Sequence, residues 1–529
     1  LIEMRIFFIR LFIFCLVTSR AVAAVLPESV SDALKHAHIP LSSVSIVVQE
    51  THDAGPLISL NADRAMNPAS TMKLLTTFAS LETLGPAYRW KTEAYLDGKL
   101  ENGVLQGDLV FKGYGDPKLT VEEFWMWLRE LRQRGLREIR GDIVLDHSFF
   151  EAVNQDPAAF DNDPNRAYNV GTSALLLNFN ALHLHLIPDG HATIALLEPD
   201  LAGYIVINRI TTSNKLHCGG EDDYRARLDG HDIVLEGRIP AGCGEADDYF
   251  SLLPQDEYFF AVFSALWHEL GGTVQGKMRA GVAPADQAPF ASYISPPLSE
   301  VIRDINKFSN NIMARQLFLT LGTAGAAQET HAYPGAEIPL AADAKDDRDE
   351  SSAPKAPGET SILAGHQGGG DSDGSDSPAA MPVPAAVPQP ASIRRSTAAI
   401  RQWLNTQHLQ FPELVLENGA GLSRRERISA QHLAELLRLA TNSPFSAELE
   451  ASLPILGMDG TVKKRFKNSD IAGYAHLKTG SLEGVKSIAG YVKARSGKQW
   501  IVVFIVNHPN AARAQPAQDA LIEWLQKGS

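Results

Sequence analysis

The sequence predicts an α/β protein of the α+β type, with an antiparallel sheet flanked by helices and interrupted by a large, mainly β insertion. Three strand-like runs near the carboxyl end follow one another through tight connections: Tyr474 to Lys478, Ser487 to Lys493 and Gln499 to Asn507. Consecutive strands joined by short turns pair antiparallel. Between residues 91 and 295, short apolar or β-branched runs alternate with turn residues, which is typical of β structure.

The length and net charge of the chain limit the number of domains and the kinds of partner to be expected. The chain has 529 residues, of which 44% are hydrophobic, so it is too long for one compact domain and can bury a sizeable core. Its 62 acidic residues outnumber its 48 lysines and arginines, giving a formal net charge of −14. Because the chain also lacks a basic run, nucleic acid is excluded as a partner.

The amino-terminal segment has the features of an export signal. Met4 to Arg10 carries two arginines, Leu11 to Val17 is apolar, and Ala21-Val22-Ala23 supplies small residues for a signal peptidase. We therefore predict a signal peptide over 1–24, cleaved near Ala23 or Ala24. The alternative is a retained anchor, but the apolar run is shorter than the roughly 20 residues needed to cross a bilayer. We expect at most peripheral membrane association.

Two cysteines, Cys218 and Cys243, remain after removal of this segment, because Cys15 leaves with it. Exported proteins mature in oxidising compartments, where a pair of cysteines favours a disulfide. A metal site is the alternative, but no His/Cys cluster surrounds either residue in the sequence. The sequence therefore predicts a Cys218–Cys243 disulfide.

The amphipathic patterns also predict elements outside the carboxyl-terminal strands. Glu28 to His36 is expected to form a helix, and Ser43 to Glu50 and Pro56 to Asn61 two strands. One clear helix, Val121 to Arg134, is expected inside the β insertion. The chain is expected to end in a helix over Pro516 to Gln526, where the proline suits a first turn.

Ala324 to Ile393 differs in composition from the rest of the chain, being rich in Ala, Pro, Gly, Ser and Asp. Such a segment cannot bury enough apolar surface to offset its ordering entropy, so we predict disorder. The predicted organisation is listed here in chain order: a catalytic domain in three pieces, 25–90, 296–323 and 394–529, separated by the β region 91–295 and the disordered segment 324–393.

The first chemical motif is Ser70-x-x-Lys73, which follows Pro68 at the start of an apolar helical run. The spacing places the two side chains one turn apart on the same helix face. A lysine of depressed pKa can take the proton of a serine hydroxyl, and helix-start N–H groups can stabilise an oxyanion. The alternative is a capping serine beside a solvated lysine.

Two further motifs strengthen the chemical interpretation. Ser309-x-Asn311 lies inside an amphipathic helical pattern, and Lys478-Thr479-Gly480 comes at the end of a strand-like run. Each has an alternative: a helix-surface serine, a solvent-facing asparagine, or a lysine that protects an edge strand. The set S-x-x-K, S-x-N and K-T-G, in this order, is typical of active-site serine enzymes that react with penicillins.

The chain resembles the low-molecular-mass class C penicillin-binding proteins, D-alanyl-D-alanine carboxypeptidase/endopeptidases of the penicillin-binding protein 4 type. Four segments to which we assign no catalytic role also match, namely Gly113 to Pro117, Ile139 to Asp142, Ser173 to Leu175 and Asn418 to Ser423. The resemblance implies a serine DD-peptidase/β-lactamase-like domain and a location in the periplasm. The segment 324–393 departs from the family pattern.

The resemblance also implies roles for the first two motifs. Ser70 is expected to be the acylating nucleophile and Lys73 the base. Ser309 is expected to relay a proton to the leaving amine. Asn311 is expected to hold either the substrate peptide or Lys73.

For the third motif, Lys478 is expected to keep the lysine base partly deprotonated and to attract the terminal carboxylate of the substrate. Thr479 is expected to hydrogen-bond that carboxylate. The N–H of Ser481, with that of the nucleophile, would form the oxyanion hole. Gly480 is expected because a side chain there would obstruct the bound acyl group.

The implied reaction is acyl transfer from the penultimate D-alanine of peptidoglycan stem peptides, with β-lactam antibiotics as inhibitors and with no metal or cofactor. A serine β-lactamase remains an alternative, although the sequence shows no motif for an efficient deacylation base. A catalytically silent protein that binds penicillin or peptidoglycan is a second alternative. Transpeptidation is a third alternative that the sequence does not resolve. The sequence also leaves open the oligomeric state and the balance between carboxypeptidase and endopeptidase activity.

Overall fold

A computed structural model describes residues 26–53, 55–152, 155–189, 192–213, 224–323 and 389–528. The predicted signal peptide, Cys218 and residues 324–388 of the predicted disordered segment lie outside these described residues. The elements below are therefore those of the described ranges.

The first described elements match the predicted ones. They are, in order, α1 (Glu28–His36), β1 (Val44–Glu50), β2 (Pro56–Leu60), a 3-10 turn (Ala69–Met72) and α2 (Lys73–Leu84). The turn continues directly into α2, so Ser70 lies in the first turn of a helical segment, as the sequence predicted.

The region between the first two motifs contains mostly short strands. Its elements are β3 (Lys91–Glu101), β4 (Val104–Gly113), α3 (Val121–Gln133), β5 (Glu138–Ile139), β6 (Ile143–Asp146), β7 (Leu182–Pro188), β8 (Thr193–Glu198), β9 (Ile205–Ser213), β10 (Tyr224–Asp229), β11 (Asp232–Pro240), β12 (Ala246–Phe250), α4 (Gln255–Glu269), β13 (Thr273–Val274), β14 (Met278–Ala280) and β15 (Ala291–Ile294). They form a seven-stranded sheet and two three-stranded sheets.

The expectation of one clear helix in this region was wrong, because α4 is a second long helix. Its apolar residues lie on several sides and give no simple amphipathic stripe. The ring of Phe111 explains the packing: its centroid lies 5.8 Å from that of Phe124 in α3, and 5.4 Å and 5.5 Å from those of Phe259 and Phe263 in α4. The two helices thus share one buried aromatic cluster.

The rest of the chain returns to the first sheet. Its elements are α5 (Leu298–Phe308), α6 (Asn311–Leu321), α7 (Ile393–Thr406), α8 (Ala430–Thr441), α9 (Ser446–Ser452), β16 (Ala475–Leu482), β17 (Val485–Lys493), β18 (Gln499–Asn507) and α10 (Gln515–Gly528). β16 is longer than predicted, so K-T-G lies within a strand and not at its end.

The central sheet has the strand order β16-β17-β18-β1-β2, and every neighbouring pair is antiparallel. Side chains alternate between two cores. On one face, Val47 and its partner Val503 pack with α2 and α5 to α8; on the other, Val48 and its partner Val502 pack with α1 and α10. Burial on both faces explains why the β18 sequence is continuously apolar. The predicted fold class is confirmed.

The helical pattern around the second motif is not one continuous helix, contrary to expectation. α5 ends at Phe308, and Ser309 adopts a left-handed conformation with φ 57° and ψ 34°. The next helix starts at Asn311, and its N-cap Asn310 accepts a hydrogen bond from the Met313 N–H at 3.0 Å. The S-x-N motif therefore forms the break between two helices.

Order also resumes earlier than Arg394. Ala391 forms a β-bridge with Phe150, and Ser392 caps α7 by accepting a hydrogen bond from the Arg395 N–H. Ile393 packs against the small apolar cluster that contains Ala391. The predicted disordered segment is therefore wrong for residues 389–393, because capping and apolar contact stabilise them. None of the described helices has the length and apolar character of a membrane span.

Candidate active site

The nucleophile motif begins in a turn that is fixed by hydrogen bonds on both sides. The side chain of Asn67 accepts from the N–H of Ala69 at 2.9 Å. The carbonyl of Pro68 accepts from the hydroxyl of Thr71 at 2.7 Å and from that of Ser487 in β17 at 2.6 Å. These contacts fix the backbone of Ser70 relative to the central sheet.

The Lys73 amine is fully buried and has three oxygen neighbours. Its Nζ lies 2.9 Å from Ser70 Oγ, 2.6 Å from Asn311 Oδ1 and 2.5 Å from the carbonyl oxygen of Ala420. Two of these are carbonyl oxygens, which only accept hydrogen bonds. A neutral amine has two protons and one lone pair, so donation to both carbonyls leaves the lone pair to accept the proton of Ser70.

Burial is the main reason that the pKa of Lys73 falls well below its ordinary value of 10.5. The charges of Lys478 and, more weakly, Arg315 lower this pKa further, whereas the carboxylate of Glu426 raises it. Desolvation and like-charge repulsion therefore favour the neutral amine that a general base requires.

The third motif meets the second one through a buried lysine. Lys478 Nζ donates to Ser309 Oγ and to the carbonyl oxygen of Thr479, both at 2.8 Å. Burial lowers the pKa of Lys478 to about 7. The left-handed conformation of Ser309 thus coincides with the point where its hydroxyl contacts the K-T-G strand.

A close contact within the protein itself also requires glycine at position 480. A Cβ at this position would lie 2.3 Å from Ser487 Oγ, 2.8 Å from the Pro68 carbonyl oxygen and 2.9 Å from the Ser70 nitrogen. The clash would be with Ser487 of β17 and with the protein's own nucleophile turn. Glycine therefore allows the edge strand β16 to lie directly against Ser70.

The glycine-rich turn at residues 417–423 belongs to the immediate surroundings of the site, contrary to the expectation of no catalytic role. It supplies the Ala420 carbonyl to the lysine amine. Glu426, which is fully buried, accepts from the N–H groups of Glu417, Asn418 and Gly419 at 3.1, 2.9 and 2.9 Å. The sequence showed the turn through its glycines but gave no signal for Glu426.

The backbone of Gly421 packs directly against the turn that carries Ser70. Its φ is +79°, and an added Cβ would lie only 1.9 Å from the Ala69 carbonyl oxygen and 2.8 Å from the Ser70 nitrogen. We expect Gly421→Ala to lower stability by more than the ~1 kcal/mol typical of a strained φ and to slow acylation by penicillin at least ten-fold. Thermal unfolding and intact-mass kinetics would measure both effects.

Gly203→Ala is the matched control, because Gly203 has a φ of +84° with nothing within 4 Å of an added Cβ. Gly203→Ala should lower stability only by the free-energy cost of a positive φ, and it should leave the acylation rate unchanged. If both variants lose the same stability and acylate normally, packing of Gly421 against the Ser70 turn is not important for the site.

Five of the eight predicted site residues line one cleft of about 870 Å³, namely Ser70, Ser309, Asn311, Thr479 and Ser481. The other three, Lys73, Lys478 and Gly480, are buried and do not line it. Sequence reasoning missed the opposite wall, formed by Phe160, Asp161, Arg166, Tyr168 and Arg424. The first four belong to the region between the first and second motifs. The Arg424 guanidinium lies 5.0 Å from the ring centroid of Phe160, so the wall contacts the glycine-rich turn.

Within the described part of the chain, no group of three or more His, Cys, Asp or Glu side chains is placed to hold a metal ion. The cleft lining includes the carboxylates of Asp161 and Glu483 as well as guanidinium groups. The groups around Ser70 itself are hydroxyls, the Lys73 amine and backbone N–H groups. These groups can perform acyl transfer through a serine ester.

A serine hydroxyl against a buried amine, beside a glycine-containing edge strand, defines a serine peptidase that works through acyl transfer. The chain belongs to the D-Ala-D-Ala carboxypeptidase 3 (S13) family, whose model matches residues 26–336 and 381–528. The predicted resemblance is confirmed. Membership in this family favours a peptidase over the two alternatives from the sequence, a β-lactamase and a catalytically silent binding protein.

Known relatives extend over most of the chain. A D-alanyl-D-alanine carboxypeptidase of Actinomadura sp. strain R39 is 25% identical over 495 residues, which cover 90% of this chain and 80% of the relative. The D-alanyl-D-alanine carboxypeptidase DacB of Haemophilus influenzae is 24% identical over 477 residues, covering 88% and 85%. The crystal structure of penicillin binding protein 4 from H. influenzae matches with a TM-score of 0.67 and 20% identity, covering 94% of this chain and 99% of that one.

Proposed function

We propose that the protein hydrolyses the terminal D-alanyl-D-alanine bond of peptidoglycan stem peptides through an acyl-enzyme on Ser70. The observation that carries this proposal is the 2.9 Å distance between Ser70 Oγ and the buried amine of Lys73. Asn311 and the Ala420 carbonyl accept hydrogen bonds from the same amine, so the lone pair of the neutral amine is directed at the Ser70 hydroxyl.

In the acylation step, Lys73 takes the proton of Ser70 as Oγ bonds to the carbonyl carbon of the penultimate D-alanine. The N–H groups of Ser70 and Ser481 stabilise the resulting oxyanion. When the tetrahedral intermediate collapses, the C–N bond breaks and the leaving amine receives a proton from the Ser309 hydroxyl. Lys478, which contacts Ser309 at 2.8 Å, resupplies that proton.

The other site residues position these groups. Asn311 accepts from the Lys73 amine, which supports the role of orienting that amine. Thr479 hydrogen-bonds Thr461 at 2.8 Å and presents its hydroxyl to the leaving side of the cleft. Gly480 lets the edge strand approach the nucleophile.

The proton that Lys73 took from Ser70 then passes to Lys478, which restores a neutral base and a charged relay lysine. Water attacks the ester, Lys73 takes a proton from it, and that proton returns to Ser70 Oγ as the ester C–O bond breaks. The same steps cleave a D-alanine-to-diaminopimelate cross-bridge when the leaving amine belongs to diaminopimelate. We therefore propose that carboxypeptidase and endopeptidase reactions share this site. A β-lactam is a substrate for the first step, and a crystal structure of the H. influenzae relative contains a β-lactam.

Mixing the purified protein with excess penicillin tests the proposal. We expect intact-mass spectrometry to show a long-lived adduct of one penicilloyl group, and we expect D-alanine release from a stem-peptide analogue. Rapid turnover of penicillin without an adduct or D-alanine release would support a β-lactamase. Absence of all three signals would support a silent binding protein.

We propose further that the chain is exported to the periplasm after cleavage of residues 1–24, as its amino-terminal composition indicates. In that oxidising compartment, Cys218 and Cys243 would form the disulfide predicted above. The proposed domain organisation remains a three-piece catalytic domain interrupted by residues 91–295 and 324–393, with its last boundary moved to residue 389.

A further inference from the structure

Lys486 lies beside the reacting groups but has no part in the mechanism above. In the pairing of β16 with β17, Lys486 is directly opposite Ser481. Its Nζ donates to Ser481 Oγ at 2.9 Å, and both residues line the cleft that contains Ser70. The hydroxyl of Ser481 therefore holds the Lys486 amine beside β16, the strand that carries the K-T-G motif.

The charge of Lys486 is not matched by an acidic partner. Asp519 acts on it electrostatically, but the guanidinium of Arg465 already binds that carboxylate, with a Nε to Oδ1 distance of 2.7 Å. Among the described residues, no carboxylate forms an ion pair with Lys486. Burial and the neighbouring Arg465 lower the pKa of Lys486. A partly buried cation in this state gains from an anionic ligand.

The substrate brings such an anion to this side of the cleft. The leaving residue carries its α-carboxylate on the carbon next to the cleaved nitrogen, so the carboxyl carbon lies within about 4 Å of the scissile carbon by standard bond lengths. Because Ser70, Thr479 and Ser481 line the same cleft, we expect that carboxylate to lie near the hydroxyls of Thr479 and Ser481 when the scissile carbonyl is at Ser70. The amine of Lys486 is the next group behind Ser481.

Lys478 is less suited to bind this carboxylate than the sequence suggested. Its buried amine already donates to Ser309 Oγ and to the Thr479 carbonyl. With a pKa of about 7, it is only partly charged at neutral pH. If a second cation binds the carboxylate of the leaving residue, Lys478 can act only in proton transfer to Ser309.

We propose that Lys486, held by Ser481 and backed by Arg465, is the cationic part of a subsite for the α-carboxylate of the leaving residue. It selects substrates with a free carboxylate beside the cleaved bond, such as a terminal D-alanine or the D-centre of diaminopimelate, over amidated ones. This inference rests on the proposed function, and it adds a specificity-determining residue that does not touch the reacting atoms.

The test compares two stem-peptide analogues that differ only in ending with D-alanine or D-alaninamide. We expect the wild type to have a kcat/KM at least ten-fold higher for the acid. Lys486→Met should lower kcat/KM for the acid at least ten-fold, mainly through KM, and that for the amide by less than two-fold. Lys486→Arg should retain the preference for the acid. Lys467→Met, at an exposed lysine of the neighbouring loop, is the matched control.

Equal losses for both analogues, or no loss for the acid, would overturn the role of Lys486. Continued cleavage of the amide shows that the variant is folded and its chemistry intact. Failure of the proposed function has a different result, because the wild type itself would then release no D-alanine from the acid.

Discussion

Lys73→Arg is expected to fold and to lose acylation by penicillin by at least about a thousand-fold, within the range that general-base catalysis supplies. Arginine keeps the positive charge but cannot give up its proton, so it cannot take the proton of Ser70. Because the buried site has little room for a guanidinium, Lys73→Met serves as a second variant that removes the base without adding volume. Intact-mass kinetics after mixing with penicillin measures the loss.

The pH dependence of the wild type follows from the same group and from Lys478. Acylation requires the neutral Lys73 amine and the protonated Lys478 amine. Its rate should therefore follow a bell-shaped pH profile that rises as Lys73 loses its proton and falls as Lys478, with a pKa of about 7, loses its own. Lys35→Arg, at an exposed lysine, should leave both rate and profile unchanged. Near-normal acylation by both Lys73 variants would remove this residue from the mechanism.

Ser70→Ala is expected to abolish the penicilloyl adduct and to lower D-alanine release by on the order of 10⁶-fold, as loss of a serine nucleophile does in other serine peptidases. The variant should unfold at nearly the wild-type temperature, because the hydroxyl contributes one hydrogen bond to the Lys73 amine. Equilibrium binding of the peptide should persist, since the edge strand and the cleft walls are unchanged.

Ser42→Ala, at an exposed serine far from the motif in sequence, is the matched control and should be fully active. A penicilloyl adduct that still forms on Ser70→Ala would show that another residue is the nucleophile. Peptide mapping of the wild-type adduct identifies the labelled residue directly.

The strands and most helices were predictable because their information is local. β18 is a nine-residue strand with seven consecutive apolar residues, and its predicted bounds, Gln499 to Asn507, are those observed. The Ser70 and Lys73 pair was also predictable, since one helical turn fixes their separation. Local periodicity and motif spacing were sufficient in both cases.

Other features depend on contacts between distant segments. The apolar pattern of α5 and α6 runs through Ser309 without interruption, yet the left-handed conformation there coincides with a hydrogen bond from Lys478, 169 residues away in the chain. α4 carries apolar residues beyond its buried face, such as the half-buried Phe260, so its sequence shows no clear helical period although one face packs into the core. Glu426 is a lone buried carboxylate whose partners are backbone N–H groups, which no side-chain motif marks.

The hydrogen bond between Lys73 and the Ala420 carbonyl joins residues 347 positions apart in the chain. A nascent or truncated polypeptide that ends before this turn contains the complete S-x-x-K motif but lacks one of the two carbonyls that orient the amine. We therefore expect catalytic competence to arise late in biogenesis, because contacts of such long sequence separation form only after most of the chain has emerged. An exported chain would cross the membrane with its nucleophile present and unreactive.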